Sequence, residues 1–130
     1  MFTKKSRKRK TNKSKLCKKG NNNPMKATES QFRETLEKAK VPVVADFFAD
    51  WCGPCRSFAP IFEQAAKNLA PDFSLCMVNI DEASALAEEV GVRLIPTIMV
   101  FNQTRLVATH EGGFASVSEL ETFIKNSVKK

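Results

Sequence analysis

The segment that most constrains the fold is a hydrophobic run that ends at two closely spaced cysteines. "VPVVADFF" is almost continuous in apolar, β-branched and aromatic residues, which is typical of a strand covered on both faces. "WCGPC" follows within two residues, and apolar residues then recur at helical spacing as far as Leu69. We therefore predict a buried strand, a turn at Cys52 and Cys55, and a helix that begins at the cysteine motif and contains Pro60.

The remaining segments continue this alternation of helices and strands. Thr28 or Ser30 is a candidate cap for a first helix that ends near Pro42. Further on, the patterns predict a strand at "FSLCMVNI", a short helix at "EASALAEEV", two strands at "TIMVF" and "LVATHE" around the turn "NQTR", and a last helix at "SVSELETFIKNSV". Strands separated by helices, then a hairpin and a helix, indicate an α/β fold with a central mixed sheet flanked by helices on both faces.

The positive charge of the chain is concentrated at its N-terminus. The net charge is +7, yet residues 1–20 hold ten Lys or Arg and no acid, which leaves eleven basic against fourteen acidic residues, or −3, in the rest. Residues 1–24 have almost nothing to bury, so we expect a disordered basic extension before a folded domain at residues 25–130.

The basic extension has three interpretations. It is a solvated segment without a dedicated role, a patch that contacts nucleic-acid phosphates weakly through residues 4–19, or a targeting segment for the nucleus or an organelle matrix. No aromatic residue is interleaved with the charges at 4–19, so nothing indicates base stacking.

Cysteine usage and hydropathy bear on the compartment. No apolar run approaches the roughly 18 residues of a membrane span, and no signal-peptide pattern follows the N-terminal charges. The spacing of Cys17, Cys52, Cys55 and Cys76 is not that of a secreted disulfide scaffold, and Cys76 lies within an apolar run typical of the core. We expect a monomer without membrane contact in a reducing compartment, with the cytoplasm preferred over a nucleus or organelle matrix.

Four explanations of the Cys52–Cys55 pair compete: half of a zinc site, a structural disulfide, two core cysteines, or a redox-active dithiol. A zinc site needs about four ligands, whereas His110 is the only histidine, so we expect no metal. A chain of 130 residues needs no disulfide to fold, and Gly-Pro between the cysteines marks an exposed turn. The redox interpretation is therefore favoured.

The redox interpretation gives the residues of the motif separate tasks. Cys52 at the helix N-terminus is the candidate attacking thiolate, because unpaired N–H groups there favour an anion. Cys55, one turn further along, is the candidate thiol that attacks the mixed disulfide. Pro54 suits a first helical turn and Gly53 leaves the backbone room.

Two further residues are unusual in their surroundings. Asp46 interrupts the buried strand, so it is either at a solvated edge or a buried acid with a raised pKa that exchanges a proton with Cys55. Pro96 begins an apolar strand, where an ordinary trans proline is the more frequent case. The residues alone leave both questions open.

"DFFADWCGPC", the "AP" that follows, "VNID", "VRLIPTIMVF" and a glycine at 112 or 113 resemble the thioredoxin family in order and spacing over about residues 27–128. The resemblance implies the thioredoxin fold and a protein that reduces disulfides in other proteins. It also implies reduction by a thioredoxin reductase and no bound cofactor. The Gly-Pro dipeptide resembles the reducing members of the fold. Two other functions remain as alternatives: a non-catalytic binding module and a more oxidising disulfide isomerase.

The resemblance also implies roles for individual residues. It assigns Cys52 as nucleophile, Cys55 as resolving thiol and Asp46 as the buried acid that assists Cys55. It makes Pro96 a cis proline beside the cysteines. The partner would be received by a surface formed by Trp51, Gly53, Pro54, Ile95, Pro96 and Gly113, or by Gly112 in place of Gly113.

Three features depart from the family pattern. The first strand falls around "NPMKA", so it should be short or absent. A lysine that commonly lies near the buried acid is Met77 here, which should leave the pKa of a buried Asp46 higher than in relatives. Gly112, Gly113 and Phe114 suggest one extra residue in the loop beside the cysteines.

Overall fold

The helices and strands begin and end where the sequence changes its periodicity or carries a capping residue. The computed structural model describes residues 25–128, so the expectations for residues 1–24, Cys17 included, lie outside the described part of the chain. The strands within it are β1 (Met25–Ala27), β2 (Val43–Phe48), β3 (Ser74–Asn79), β4 (Thr97–Asn102) and β5 (Arg105–Glu111). The helices are α1 (Glu29–Lys38), α2 (Gly53–Leu69), α3 (Ser84–Val90) and α4 (Val117–Ser127).

The five described strands form one mixed sheet in the order β1-β3-β2-β4-β5. β1 and β2 both run parallel to β3, whereas β4 is antiparallel to β2 and β5. The predicted mixed sheet is therefore confirmed, and the first strand is present as a three-residue edge strand. β2, which carries Asp46 and leads to the cysteines, is the central strand.

The sheet separates two hydrophobic cores, because successive side chains along each strand point to opposite faces of the sheet. One core packs β2, β3 and β4 against α2 and α4, through buried residues such as Val44, Phe62, Ile98, Leu120 and Ile124. The other lies on the opposite face and includes Phe32 of α1 and Leu86 of α3. Helices on both faces explain why all six residues of β2 are buried.

Local signals fix the ends of the helices. Thr28, not Ser30, is the N-cap of α1: its hydroxyl accepts from the Gln31 N–H while the Gln31 side chain accepts from the Thr28 N–H, the reciprocal capping-box arrangement. Gly91 ends α3 at φ +84°, a left-handed conformation that glycine adopts without steric cost. Pro60 lies within α2, as predicted.

Candidate redox site

The two cysteines of the motif lie together at the start of α2, just after the short connection from β2. Cys52 is the N-cap of α2 and Cys55 lies in its first turn, with Pro54 between them. Their Cα atoms are 5.2 Å apart and their sulfurs are joined in a disulfide. The pair can therefore exist as a disulfide across the first turn of this helix.

Backbone hydrogen bonding distinguishes the two sulfurs. The Cys55 N–H donates to Cys52 Sγ at 3.1 Å. In the reduced protein, that N–H and the N-terminal end of a 17-residue helix would both favour a thiolate at Cys52. Exposure separates the cysteines less, because Cys52 is 5% and Cys55 3% exposed.

Asp46 is buried in the face of the sheet that α2 covers. It is 0% exposed, and neither carboxylate oxygen has a hydrogen-bond partner within the described part of the chain. Its direct neighbours across the sheet are Met77 on β3 and Ile98 on β4, both apolar and buried. Burial raises the pKa of Asp46 to about 7. The expectation of a buried acid is confirmed, and a solvated edge position is wrong.

The Ile95–Pro96 segment lies beside the cysteines. Its peptide bond is cis, as the family resemblance implies. Cys52 Sγ lies 3.9 Å from the Ile95 carbonyl oxygen. The Pro96 carbonyl accepts from the Gly112 N–H at 2.7 Å, and the Thr97 hydroxyl donates to the Leu94 carbonyl. These bonds hold the segment between the cysteines and the end of β5.

The other predicted binding residues of the cysteine motif are accessible to solvent to different degrees. Trp51 is 66% exposed, and its indole N–H donates to Asp81 Oδ2 at 2.9 Å. Pro54 is exposed, and Gly53 has open space where a side chain would begin.

The two adjacent glycines differ in their surroundings. Gly112 takes φ +95° and has open space at its Cβ position, and it bonds to Pro96. At Gly113 a Cβ would lie 3.0 Å from Cδ1 of Phe58, so this glycine packs against α2. Both glycines therefore lie in the loop that contacts the site, but only Gly112 is bonded to the proline segment.

Sequence reasoning missed three charged residues that support this site. Asp81 lies two residues after the end of β3 and reaches Trp51, because the ends of neighbouring parallel strands meet at one edge of the sheet. Arg93 and Glu111 form an ion pair at 2.9 Å that joins the segment before Pro96 to the end of β5. The position of Asp81 after a predicted strand was a usable signal, whereas the ion pair depends on the strand order.

The described residues contain neither a cluster of metal ligands nor a membrane-spanning helix. In residues 25–128, no three His, Cys, Asp or Glu side chains are grouped so that they could hold a metal ion. The helices of this same range are all too short or too polar to cross a membrane.

A disulfide-forming pair at a helix N-terminus, beside a buried acid and a cis proline, on a five-stranded mixed sheet defines a thiol-disulfide oxidoreductase. The family model for thioredoxin matches residues 23–126. The chain is 36% identical to the thioredoxin of Pseudomonas aeruginosa over 101 residues, which is 78% of this chain and 93% of the relative. It is also 36% identical to the thioredoxin of Rickettsia bellii over 101 residues, 78% of this chain and 95% of that one.

Solved structures agree with the sequence comparisons. A mutant thioredoxin from Halobacterium salinarum superposes with a TM-score of 0.70 at 28% identity, over 82% of this chain and 90% of that one. The thioredoxin of Malassezia sympodialis gives 0.68 at 32% identity, over 79% and 88%. The chain belongs to the thioredoxin family, and with its Cys52–Cys55 pair it is a disulfide reductase of that family.

Proposed function

We propose that the chain reduces disulfides of other proteins in two exchange steps, with Cys52 as the nucleophile and Cys55 as the resolving thiol. The observation that carries this assignment is the 3.1 Å hydrogen bond from the Cys55 N–H to Cys52 Sγ at the start of α2. It favours negative charge on Cys52 and offers no equivalent benefit to Cys55.

In the first step the Cys52 thiolate attacks one sulfur of the substrate disulfide. A bond forms between Cys52 and that sulfur, the substrate disulfide breaks, and the other substrate sulfur leaves as a thiolate that takes up a proton. The Ile95 carbonyl, 3.9 Å from Cys52 Sγ, borders the space that the attacked sulfur would enter.

In the second step Cys55 releases the substrate. Its thiol loses a proton, attacks Cys52 Sγ and breaks the mixed disulfide, so that the substrate departs as a dithiol and Cys52–Cys55 becomes the disulfide. We assign the acceptance of the Cys55 proton to Asp46, since a carboxyl with a pKa of about 7 can both accept and release a proton near neutral pH.

Substrate binding is assigned to the surface around the disulfide. Trp51 offers an exposed apolar ring, and Gly53 and Pro54 leave the backbone of the motif accessible. Ile95, Pro96 and Gly113 form the opposite side, with Gly112 as the alternative glycine. The backbone of this segment would pair with an extended stretch of substrate.

The wider setting of the reaction is also a proposal. Members of the family act on disulfide-containing proteins and are reduced by partner reductases, so we propose a thioredoxin reductase as electron donor. We further propose a cytoplasmic monomer active in electron transport and redox homeostasis, with residues 1–24 as an extension outside the folded domain. Weak nucleic-acid contact is assigned to residues 4–19 on charge alone.

Two cysteine variants test the assignment. Cys52→Ser should abolish reduction of a disulfide substrate such as insulin, whereas Cys55→Ser should stop turnover but accumulate a mixed disulfide through Cys52. Ser57→Ala, at an exposed position on the same helix, is the matched control and should keep the wild-type rate. Mass spectrometry of the trapped complex identifies the attacking sulfur.

The outcomes separate the competing functions. A mixed disulfide trapped by Cys52→Ser through Cys55 would reverse the two roles, and wild-type protein without reductase activity would favour a binding module. A reduction potential near roughly −270 mV, the value characteristic of thioredoxins, supports the reductase. A value near roughly −180 mV, characteristic of protein disulfide isomerase, supports the isomerase instead.

A further inference from the structure

Asp46 lies in a row of five directly paired residues that crosses the whole sheet. The register joins Lys26 to Met77, Met77 to Asp46, Asp46 to Ile98, and Ile98 to His110. Directly paired residues of neighbouring strands project from the same face, so all five belong to the face that α2 and α4 cover. Lys26, at the β1 end, is exposed, whereas Asp46 at the centre is buried.

A cleft opens at the β1 end of this row. Its volume is about 130 Å³, and it is lined by Lys26, Ala27, Thr28, Phe48, Asp50, Met77, Asn79 and Glu82. Met77 is thus a wall of the cleft on one side and the neighbour of Asp46 on the other. Met77 therefore lies between the cleft and the strand position of the buried carboxyl.

The Lys26 side chain extends over this wall. Lys26 belongs to β1, yet its Nζ lies 5.7 Å from the ring centroid of Phe48, which belongs to β2. β3 lies between those two strands, so the two side chains meet over β3 on the face that carries Asp46. A contact of this kind with an aromatic ring stabilises the extended position of the lysine.

We propose that Lys26 is a positioning residue for the redox reaction: placed beside the Phe48 ring in the lining of this cleft, its ammonium group favours the ionised form of Asp46. The proposal rests on the role assigned to Asp46 as the proton acceptor for Cys55. In this role Lys26 acts through Asp46 alone and takes no direct part in the exchange between sulfurs.

The influence of Lys26 on the Asp46 carboxyl depends on the other groups around that carboxyl. The residues paired with Asp46 on β3 and β4 are the uncharged Met77 and Ile98, and α2, which covers this face, carries the Cys52–Cys55 pair at its start. Asp50 and Glu82 line the cleft and oppose Lys26. His110 ends the row on β5, two strands from Asp46, and its ring stacks on Phe114 at 4.1 Å.

The expected size of the effect follows from distance and exposure. Two strand spacings put the Lys26 backbone about 10 Å from that of Asp46. Opposite charges at about that distance, one of them in solvent, change a pKa by about 0.5. The direction is unambiguous: loss of the Lys26 charge should raise the Asp46 pKa further above its ordinary value.

A direct titration of Asp46 tests the proposal without relying on catalysis. The carboxyl carbon signal of labelled full-length protein is followed by NMR against pH for wild type, Lys26→Met, Lys26→Arg and Lys38→Met. We expect a pKa about 0.5 higher in Lys26→Met, recovery in Lys26→Arg, and a smaller difference between wild type and Lys26→Met at high salt. Lys38→Met removes the same charge from an exposed position on α1, across the sheet, and should leave the pKa unchanged.

Two results would overturn the proposal at this stage. One is an Asp46 pKa that is the same in Lys26→Met as in wild type. The other is an equal shift in Lys38→Met, which would make the effect one of net charge.

The reaction itself is followed separately in the reduced protein. The pH profile of disulfide reduction should move with the Asp46 pKa in Lys26→Met and return in Lys26→Arg; a pKa that moves while the profile stays would overturn the positioning role. Asp46→Asn tests the role of Asp46 separately from that of Lys26. If Asp46→Asn reduces substrate with the wild-type pH profile, the proposed proton acceptor is wrong, whatever Lys26 does to the carboxyl.

Discussion

At the scale of single residues, Asp46 shows how burial changes the acidity of a carboxyl group. The ordinary pKa of an aspartate is 3.8, and burial among apolar neighbours raises it to about 7. The same burial leaves both carboxylate oxygens without partners in the described residues. An acid that is unfavourable for folding is thus kept in the central strand, near the end from which the chain continues to the cysteines.

The raised pKa predicts how stability depends on pH. The unfolded chain loses the Asp46 proton near pH 4, whereas the folded protein keeps it until about pH 7, so ionisation favours the unfolded state in between. The free energy of unfolding should fall across this window by about 4 kcal/mol and level off above it. Asp46→Asn should remove this slope and be the more stable protein at about pH 8.

Urea unfolding of the oxidised protein from about pH 4 to pH 8 checks this prediction. Asp72→Asn, at an exposed position between α2 and β3, is the control and should retain the wild-type slope. Identical pH dependence in wild type and Asp46→Asn would contradict the prediction.

At the scale of secondary-structure elements, the first helix depends on one reciprocal pair of hydrogen bonds. Thr28 and Gln31 satisfy each other's backbone N–H groups at distances of 3.1 and 2.9 Å. Two of the unpaired donors at the start of α1 are thereby bonded. The helix in turn carries Phe32 into the core on its side of the sheet.

Replacing the cap should therefore weaken the whole domain. We expect Thr28→Ala to lower the free energy of unfolding by about 1 kcal/mol. Ser30→Ala is the matched control on the same helix: Ser30 is exposed and lies after the cap, so its loss should change stability little. Guanidinium unfolding of the two variants compares them, and equal losses would argue against a specific role for Thr28.

Most helices and strands were predictable, because the spacing of apolar residues agrees with the positions of capping residues, glycine and proline along the chain. The choice between Thr28 and Ser30 was not, since both can cap and the decision depends on the return bond from Gln31. The juxtaposition of Cys52 and Cys55 was also predictable, because they are only three positions apart in the sequence. The placement of Asp46 and the Arg93–Glu111 ion pair needed the strand order, which no local pattern contains.

At the scale of the whole molecule, the charge is divided between two parts. Residues 1–20 carry ten basic residues and no acid, while the rest of the chain has a net charge of −3. The family match begins at residue 23, so the basic part precedes the matched part of the chain. We therefore expect the two parts to contribute to different properties.

Removal of residues 1–24 should leave disulfide reduction through Cys52 and Cys55 unchanged and abolish binding to double-stranded DNA. Binding by the full chain should weaken steeply with salt, since it depends on phosphate contacts. A full-length variant with the basic residues of 4–19 replaced by glutamine separates charge from length. Binding by the shortened chain equal to that of the full chain, or loss of disulfide reduction after the deletion, would contradict this division.

The position of the Ile95 carbonyl beside Cys52 has a consequence for protein synthesis. Cys52 Sγ faces a carbonyl 43 residues later in the chain. A ribosome therefore releases both cysteines well before it releases the segment that borders them. During that interval the nascent chain carries an uncovered pair of thiols, so oxidation and mispairing with other thiols are most damaging before translation has passed the proline that completes the site.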